Sequence, residues 1–260
     1  MPQPVLLSIV GLLGLAVGSF LNVVIHRVPR SESLLRPGSH CPHCGTRVRN
    51  RHNVPVLGWL LLRGRCADCG ERISARYPLV EAGTAALFVA VAARFGWTWE
   101  LPAYLYLAAI AIALAMIDLA EYRLPDAIVW PSYAVAAALL VPVALLAGDL
   151  TAMYRGFAAG AAMWLLFLVI SRFGMGWGDV KLAPLLGFYL GWLGWSSVAV
   201  GAFAAFLLGG VGAAALVATG RAGRKTKVPF GPFMLAGAFV AVFAATPIAG
   251  WYLSLTFPTA

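Results

Sequence analysis

The stretch Leu101-Pro-Ala-Tyr-Leu-Tyr-Leu-Ala-Ala-Ile-Ala-Ile-Ala-Leu-Ala-Met-Ile-Asp118 decides the fold. Seventeen residues without a charge run from Leu101 to Ile117, and an acid follows them directly. A run of this length is enough for a helix to cross the hydrocarbon core of a bilayer, which is about 30 Å thick. The sequence therefore predicts a membrane-spanning helix that ends on a carboxylate.

The composition of the whole chain extends this prediction. The 260 residues are 61% hydrophobic and 11% charged, whereas a soluble domain carries about 25% charged residues on a surface that faces water. Apolar runs between charged or turn-forming breaks give about eight candidate spans. These spans are residues 5–27, 78–95, 101–118, 127–147, 153–172, 181–194, 196–219 and 231–255. The predicted fold class is an all-α polytopic membrane protein with about eight transmembrane helices.

Two of these spans allow other interpretations. The span 181–194 is short and rich in glycine, so it is a tilted helix, a re-entrant segment, or one helix fused with the next span across Gly194. The run from Val5 to Ile25 resembles a secretory signal peptide in length. No basic stretch precedes that run and no small-residue cleavage site follows it, which favours a retained helix.

The positions of Lys and Arg predict the orientation. Seventeen of the nineteen lie on one side of an eight-span arrangement, and nine of these are arginines in the segment 28–77. Arg94 and Arg155 fall on the other side. Because basic loops stay in the cytoplasm, we expect both termini outside and the segment 28–77 inside. The same topology explains the net charge of +9, so the sequence predicts membrane lipid as its surroundings and no nucleic-acid partner.

The segment 28–77 contains all four cysteines, in two C-x-x-C pairs. Cys41-Pro-His-Cys44 and Cys66-Ala-Asp-Cys69 are 21 residues apart, and a glycine follows each pair. Two such turns supply the four thiolates of a closed, structural zinc shell, which has no open position for catalysis. Four unliganded thiols and a redox site are the alternatives, and His43 is a competing ligand. We therefore divide the chain into a first transmembrane helix (1–27), a zinc-binding loop (28–77) and a membrane domain (78–260).

Two acids stand out because ionisable groups in membrane helices are costly and are functional candidates. Asp118 ends the third span, and Asp179 lies in Gly174-Met-Gly-Trp-Gly-Asp-Val-Lys181 between the fifth and sixth spans, so both are expected at the cytoplasmic face. Two nearby carboxyl groups that share one proton supply the base and the acid of metal-free peptide hydrolysis. The predicted catalytic pair is therefore Asp118 and Asp179.

Each of these polar residues also has a structural interpretation. Asp118 is alternatively a helix-terminal acid that reaches water, and Asp179 is alternatively the N-cap of the sixth span. Asp126 is best interpreted as the cap of the fourth span. Lys181 either pairs with Asp179 or extends towards the interface, and the role of Glu81 stays open.

Five motifs together resemble the prepilin leader peptidase/N-methyltransferases of type IV pilus and type II secretion systems. In chain order they are Gly18-Ser-Phe-Leu-Asn-Val-Val-Ile-His-Arg-Val-Pro29, the two cysteine pairs flanking Asn53-Val-Pro-Val-Leu-Gly-Trp-Leu60 and followed by Arg76-Tyr-Pro-Leu-Val-Glu81, Ile117-Asp118 with Leu124-Pro-Asp126, Gly176-Trp-Gly-Asp179, and Val228-Pro-Phe-Gly-Pro232. The fourth is the G-x-G-D motif that other intramembrane aspartic proteases share. The resemblance covers nearly the whole chain.

This resemblance implies a membrane aspartic endopeptidase of the bacterial inner membrane that uses Asp118 and Asp179. The substrates would be prepilins and pseudopilins, which carry a short basic leader and are cut after a glycine. Many members then methylate the new N-terminus with S-adenosylmethionine. The sequence has no Rossmann glycine pattern for such a donor, and Glu81 with the polar loop is the region where we would look for its site.

Two rival functions come from other classes. A non-enzymatic membrane assembly factor for a pilus or secretion system would use the zinc loop to dock a partner, and its acids would be structural. A proton-coupled transporter would favour acids near the membrane midplane and inverted halves. The sequence places both acids at one face and has no internal repeat, which disfavours the transporter.

Overall fold

The computed structural model describes residues 2–220 and 228–256. The chain divides into two compact units, Met1–Ala113 and Leu114–Ala260. Arg221, Arg224, Lys225 and Lys227, which contribute to the predicted basic loops, lie outside the described residues.

The described residues form nine α-helices and no strand. They are α1 (Gln3–Arg27), α2 (Leu57–Leu61), α3 (Arg76–Phe95), α4 (Leu101–Glu121), α5 (Asp126–Ala147), α6 (Thr151–Ser171), α7 (Trp177–Leu193), α8 (Trp195–Ala218) and α9 (Gly231–Thr256), with 3₁₀ turns at Val28–Arg30 and Asn50–His52. All except α2 and α7 are long and apolar enough to cross a membrane, which gives seven candidate spans. The predicted all-α polytopic membrane fold is confirmed.

In the first unit, α1 and α3 pack as an antiparallel pair through small residues. A Cβ atom at Gly14 would lie 2.7 Å from Ala85 Cα, and one at Gly18 would lie 2.7 Å from Glu81 Cα. Small residues let membrane helices approach this closely. Near the end of α1 and the start of α3, Asn22 Nδ2 donates to Tyr77 O at 3.1 Å. The segment between α1 and α3, which contains the four cysteines, leaves the pair at this end.

In the second unit, α6 and α7 pack antiparallel along most of their length. A Cβ atom at Gly160 would lie 3.0 Å from Pro184 O, and one at Gly187 would lie 2.7 Å from Ala159 O. Near the start of α6 and the end of α7, the Arg155 guanidinium donates to the backbone oxygens of Gly191 and Trp192 at 2.5 and 2.7 Å. The glycines of α7 therefore serve close helix packing.

The sixth predicted span, 181–194, corresponds to helix α7. This helix has 17 residues, begins at Trp177 and is buried over most of its length. It is separate from α8 because the chain breaks at Gly194, whose φ of 153° and ψ of 163° are not helical. The alternative of one fused helix is therefore wrong. Helix α7 runs beside α6 almost to the first turn of α6, although its 17 residues do not make it one of the seven candidate spans.

Helices α8 and α9 form the other close antiparallel pair of the second unit. A Cβ atom at Gly237 would lie 2.6 Å from Ala205 N and 2.7 Å from Gly201 O. Helix α7 also packs against α5, α8 and α9. The first residue of α9, Gly231, is fully packed, and it lies at the site described next.

Candidate active site

Asp118 lies near the C-terminal end of α4 and is 5% exposed. Its Oδ2 atom accepts a hydrogen bond from the backbone N–H of Gly231 at 3.1 Å. Gly231 is the first residue of α9, where backbone N–H groups have no partner within the helix. A donor directed at a carboxylate oxygen stabilises its negative charge. Asp118 is therefore held in place rather than directed freely into water.

Asp179 is the third residue of α7 and is 7% exposed. The N-cap of this helix is Gly176, so the alternative of Asp179 as the N-cap is wrong. The reason is that α7 begins four residues earlier than predicted. The backbone of Gly176 hydrogen-bonds to the Asp179 carboxylate, as an acid in the first turn of a helix commonly allows. Just before, Gly174 has a φ of 104°, which favours glycine and lets the chain turn sharply into α7.

The structure brings these two predicted acids together. The charge of Asp118 acts directly on the carboxyl group of Asp179. Leu124 lies between the backbone segments beside the two acids: a Cβ atom at Gly178, next to Asp179, or at Gly231, which donates to Asp118, would each lie 3.3 Å from its side chain. Two buried carboxyl groups that act on each other resist simultaneous ionisation, since each charge is desolvated and repels the other. This arrangement can hold one proton between two acids.

Lys181 pairs with Asp126, which corrects the predicted alternatives for both residues. The Lys181 ammonium donates to Asp126 Oδ1, and the Tyr133 hydroxyl donates to Lys181 O at 2.5 Å. Asp126 is the first residue of α5, and Pro125 occupies the N-cap position. The ion pair thus links the starts of α5 and α7, and the ammonium group of Lys181 is directed at Asp126 rather than at Asp179.

Sequence reasoning did not identify Gly231 as a functional residue. The motif Val228–Pro232 was noted, but a backbone N–H that donates to a distant side chain leaves no signal in residue type. A Cβ atom at Gly231 would lie 2.6 Å from Asp118 Oδ2. A glycine at the first position of α9, next to a carboxylate, is therefore a steric requirement.

We expect Gly231→Ala to lower peptide cleavage by at least about 10-fold, because displacing a catalytic group by about 1 Å can cost 100-fold. Gly250→Ala is the matched control, since it lies in the same helix and a Cβ atom there meets nothing within 4 Å. The measurement is the initial cleavage rate of both purified variants. Equal rates for the two would contradict the assigned contact.

The four cysteines form one cluster in the segment 28–77, for which the sequence predicts zinc binding. Their sulfur atoms all lie within 4.8 Å of one another, and the Cys41 and Cys69 sulfurs are 3.9 Å apart. In a tetrahedral shell with metal–sulfur bonds of about 2.3 Å, the sulfurs are roughly 3.8 Å apart. The donor set and its spacing therefore fit a zinc ion. His43 is exposed and lies outside this cluster.

The two cysteine pairs have the same backbone geometry. Cys41 N donates to Thr46 O at 2.9 Å and Cys66 N donates to Glu71 O at 2.8 Å, so each pair closes an equivalent turn. Gly45 and Gly70 end these turns with φ values of 72° and 73°. Hydrogen bonding from the side chain and backbone of Thr46 lowers the pKa of Cys44 to about 6. A thiolate is the form that binds metal.

The comparisons with known proteins agree with this geometry. Residues 12–95 match the bacterial peptidase A24 N-terminal domain, and residues 105–214 match the type IV leader peptidase family. The chain is 34% identical over 268 residues to a prepilin leader peptidase/N-methyltransferase of Stutzerimonas stutzeri, which covers 93% of this chain and 91% of that relative. The chain belongs to the type IV leader peptidase family. Both the predicted resemblance and the predicted enzyme class, a peptidase, are confirmed.

Other relatives of this leader peptidase family carry the same name. A protein of Aeromonas hydrophila is 36% identical over 278 residues, covering 95% of this chain and 93% of the relative. A protein of Myxococcus xanthus is 41% identical over 224 residues, or 83% of this chain, and this match spans 64% of the relative's length. No solved structure matches the chain. Family membership and the apolar helices together indicate a multi-pass protein of the bacterial inner membrane.

Proposed function

We propose that this chain is a membrane aspartic endopeptidase that removes the basic leader from prepilin and pseudopilin substrates, with Asp118 and Asp179 as its catalytic pair. The observation that carries the proposal is the arrangement of two buried carboxyl groups, one near the end of α4 and one in the first turn of α7, in which the charge of Asp118 acts on Asp179. The leader-peptidase names of the relatives support the substrate class. An assembly factor would not require two buried acids whose charges act on each other.

The reaction begins with one ionised and one protonated acid. Asp118 is the better carboxylate, since the Gly231 N–H donates to it, and it takes a proton from water as the water oxygen attacks the scissile carbonyl carbon. Asp179 gives its proton to the carbonyl oxygen, which forms a tetrahedral diol. In the second step Asp118 protonates the leaving nitrogen, Asp179 takes a proton back from a hydroxyl group, and the C–N bond breaks. Both acids then return to their starting states.

The zinc-binding loop has a structural role in this proposal. Cys41, Cys44, Cys66 and Cys69 would hold zinc in a closed shell, which links the two ends of a loop too small for a large apolar core. A zinc ion held by these four thiolates would cross-link the loop, and its closed shell would leave no position for a reacting water molecule. The proposed division is a first transmembrane helix (1–27), this loop (28–77) and an aspartic peptidase domain (78–260).

The proposed orientation places both termini outside and the zinc loop in the cytoplasm. It is supported by the nine arginines of the segment 28–77, and it requires α7 to cross the membrane in addition to the seven candidate spans. The G-x-G-D acid, Asp179, then lies at the cytoplasmic edge, where a basic leader remains after its apolar helix has entered the membrane.

The relatives' names also support a second activity, methylation of the new N-terminus. The implied methyl donor is S-adenosylmethionine, and we assign no residue to it. Glu81, the acid that the sequence suggested for the donor site, instead accepts a hydrogen bond from the backbone N–H of Val56 in the loop.

The purified enzyme in lipid nanodiscs, mixed with a prepilin substrate, is expected to release a leader that ends in glycine. Mass spectrometry of the product N-terminus measures the cut position, and an added 14 Da (approximate mass of one methylene) with S-adenosylmethionine present reports methylation. A substrate that stays uncut would contradict the peptidase. A cut but unmethylated product would contradict only the second activity.

A further inference from the structure

The short helix α2, between the two cysteine pairs, presents an uncovered apolar face. Leu57, Leu60 and Leu61 are spaced for one side of a helix, and all three are exposed, Leu61 by 76%. The opposite side is packed: the Trp59 indole N–H donates to Ile73 O at 3.0 Å, and its ring lies against Gly64. Trp59 fixes which side of α2 faces inwards, so the leucine face has one defined direction.

The buried acid Glu81 fixes the position of α2 along the axis of the α1–α3 pair. Glu81 Oε2 accepts the backbone N–H of Val56 at 2.7 Å, directly before α2 begins. Glu81 lies five residues into α3, opposite Gly18 of α1. Helical side chains lean towards the N-terminus, so the carboxylate lies roughly one turn, about 5 Å, inside the end of the pair. The start of α2 is therefore held beside the two membrane helices rather than beyond them.

The backbone at this contact is strained, which indicates that the position of α2 is imposed. Val56 has φ 60° and ψ −52°, and Leu57 N donates to Pro55 O at 2.6 Å. Together these values describe a classic γ-turn, which is rare, and a β-branched residue with positive φ is an outlier. A strained backbone conformation persists only where the surrounding structure holds it in place, and such positions cluster at functional sites.

The charges near α2 and the exposed surface of α3 indicate which surroundings cover the leucine face. No acid occurs between residues 45 and 66, whereas Arg51, Arg63 and Arg65 are all exposed around α2. Leu79, on the first turn of α3, is also exposed, on a helix that is long and apolar enough to span a membrane. The leucine face is thus flanked by cations in sequence and is tied through Val56 and Glu81 to a helix that can span a membrane. This combination fits the boundary between acyl chains and anionic headgroups.

We propose that α2 is an interfacial anchor: Leu57, Leu60 and Leu61 insert into the headgroup–acyl boundary, the flanking arginines bind the phosphates of anionic phospholipids, and Glu81 sets the depth. The zinc-binding loop then lies flat on the membrane surface instead of projecting from it. This inference is independent of the catalytic assignment, because every residue in it belongs to the first unit.

The test is photo-crosslinking of the full chain in nanodiscs of phosphatidylglycerol and phosphatidylcholine. A diazirine amino acid replaces Leu61 or, as matched control, Leu35, which is 87% exposed in the same loop but outside α2. We expect phospholipid adducts at position 61 in at least about five-fold excess over position 35, as insertion into the boundary predicts. Equal lipid yields, or adducts at position 61 with peptide or water alone, would overturn the proposal.

Two further variants test the tether separately. Glu81→Ala removes the acceptor and is expected to reduce lipid adducts at position 61 to the level of position 35, while Glu81→Gln keeps an oxygen there and retains most of them. Bound metal, measured in the same samples, should stay unchanged, which shows that the loop still folds. Full lipid labelling in a folded Glu81→Ala protein would refute the role of Glu81 in setting depth.

Discussion

Asp118→Asn or Asp179→Asn is expected to reduce peptide cleavage by at least about 1000-fold, the upper range for loss of a general acid or base. Asparagine has nearly the same shape, so each variant should still insert into the membrane and accumulate. At position 118 it cannot take a proton from water or return one to the leaving nitrogen, and at position 179 it cannot protonate the carbonyl oxygen. The measurement is the mobility shift of a prepilin substrate on co-expression, followed by initial rates with purified enzyme.

The double variant and a matched acid make this test specific. Residues that act as one catalytic unit are not additive, so Asp118→Asn with Asp179→Asn should be about as inactive as either single variant. Asp149→Asn is the control, because Asp149 lies between α5 and α6 and its exposed carboxylate hydrogen-bonds to the neighbouring Thr151. We expect its rate to stay within about two-fold of wild type. A single Asp118 or Asp179 variant that kept a tenth of the activity would exclude the proposed chemistry.

Much of the fold was predictable because apolar length and residue spacing are local signals. The charge-free run before Asp118 predicted α4, and two C-x-x-C pairs predicted the sulfur cluster. The start of α7 was less predictable. The glycines around Asp179 resemble a loop, and α7 is stabilised by its packing against α6 rather than by a strong helical pattern of its own.

The contacts that build the candidate site were not predictable from residue types. Lys181 is two residues from Asp179 in sequence, yet it pairs with Asp126 because the rotation of α7 directs its side chain towards α5. The Gly231 N–H reaches Asp118 across 113 positions of sequence. Such contacts depend on how helix ends meet in three dimensions, and one sequence carries no record of that geometry.

These contacts also explain why the site lies at helix ends. Asp118 lies in the last turn of α4, Asp179 lies in the first turn of α7, and Gly231 is the first residue of α9. The first backbone N–H groups of α7 and α9 therefore lie beside the acids. Helix N-termini favour negative charge, and here they offset part of the cost of burying two carboxyl groups. The same backbone donors would remain in both Asp→Asn variants, so the loss of activity measures proton transfer rather than collapse of the site.

Cys41→Ser is expected to remove most of the bound zinc and to lower thermal stability in the same protein. Structural zinc sites contribute about 10–16 kcal/mol of apparent binding energy to folding, and a shell of four thiolates loses much of it when one ligand is replaced. The equivalent backbone turns at both cysteine pairs predict the same result for Cys69→Ser. The measurements are metal content by mass spectrometry and the unfolding temperature in detergent or nanodiscs.

His43→Ala is the matched control, since His43 lies inside the first cysteine pair yet its side chain is exposed and outside the sulfur cluster. It should keep about one zinc per chain, as a closed four-cysteine shell requires. If His43→Ala lost zinc while Cys41→Ser kept it, histidine would be the ligand instead. If the wild-type protein contained no metal, the loop would be held by its own hydrogen bonds, and the cysteine variants should then leave the unfolding temperature unchanged.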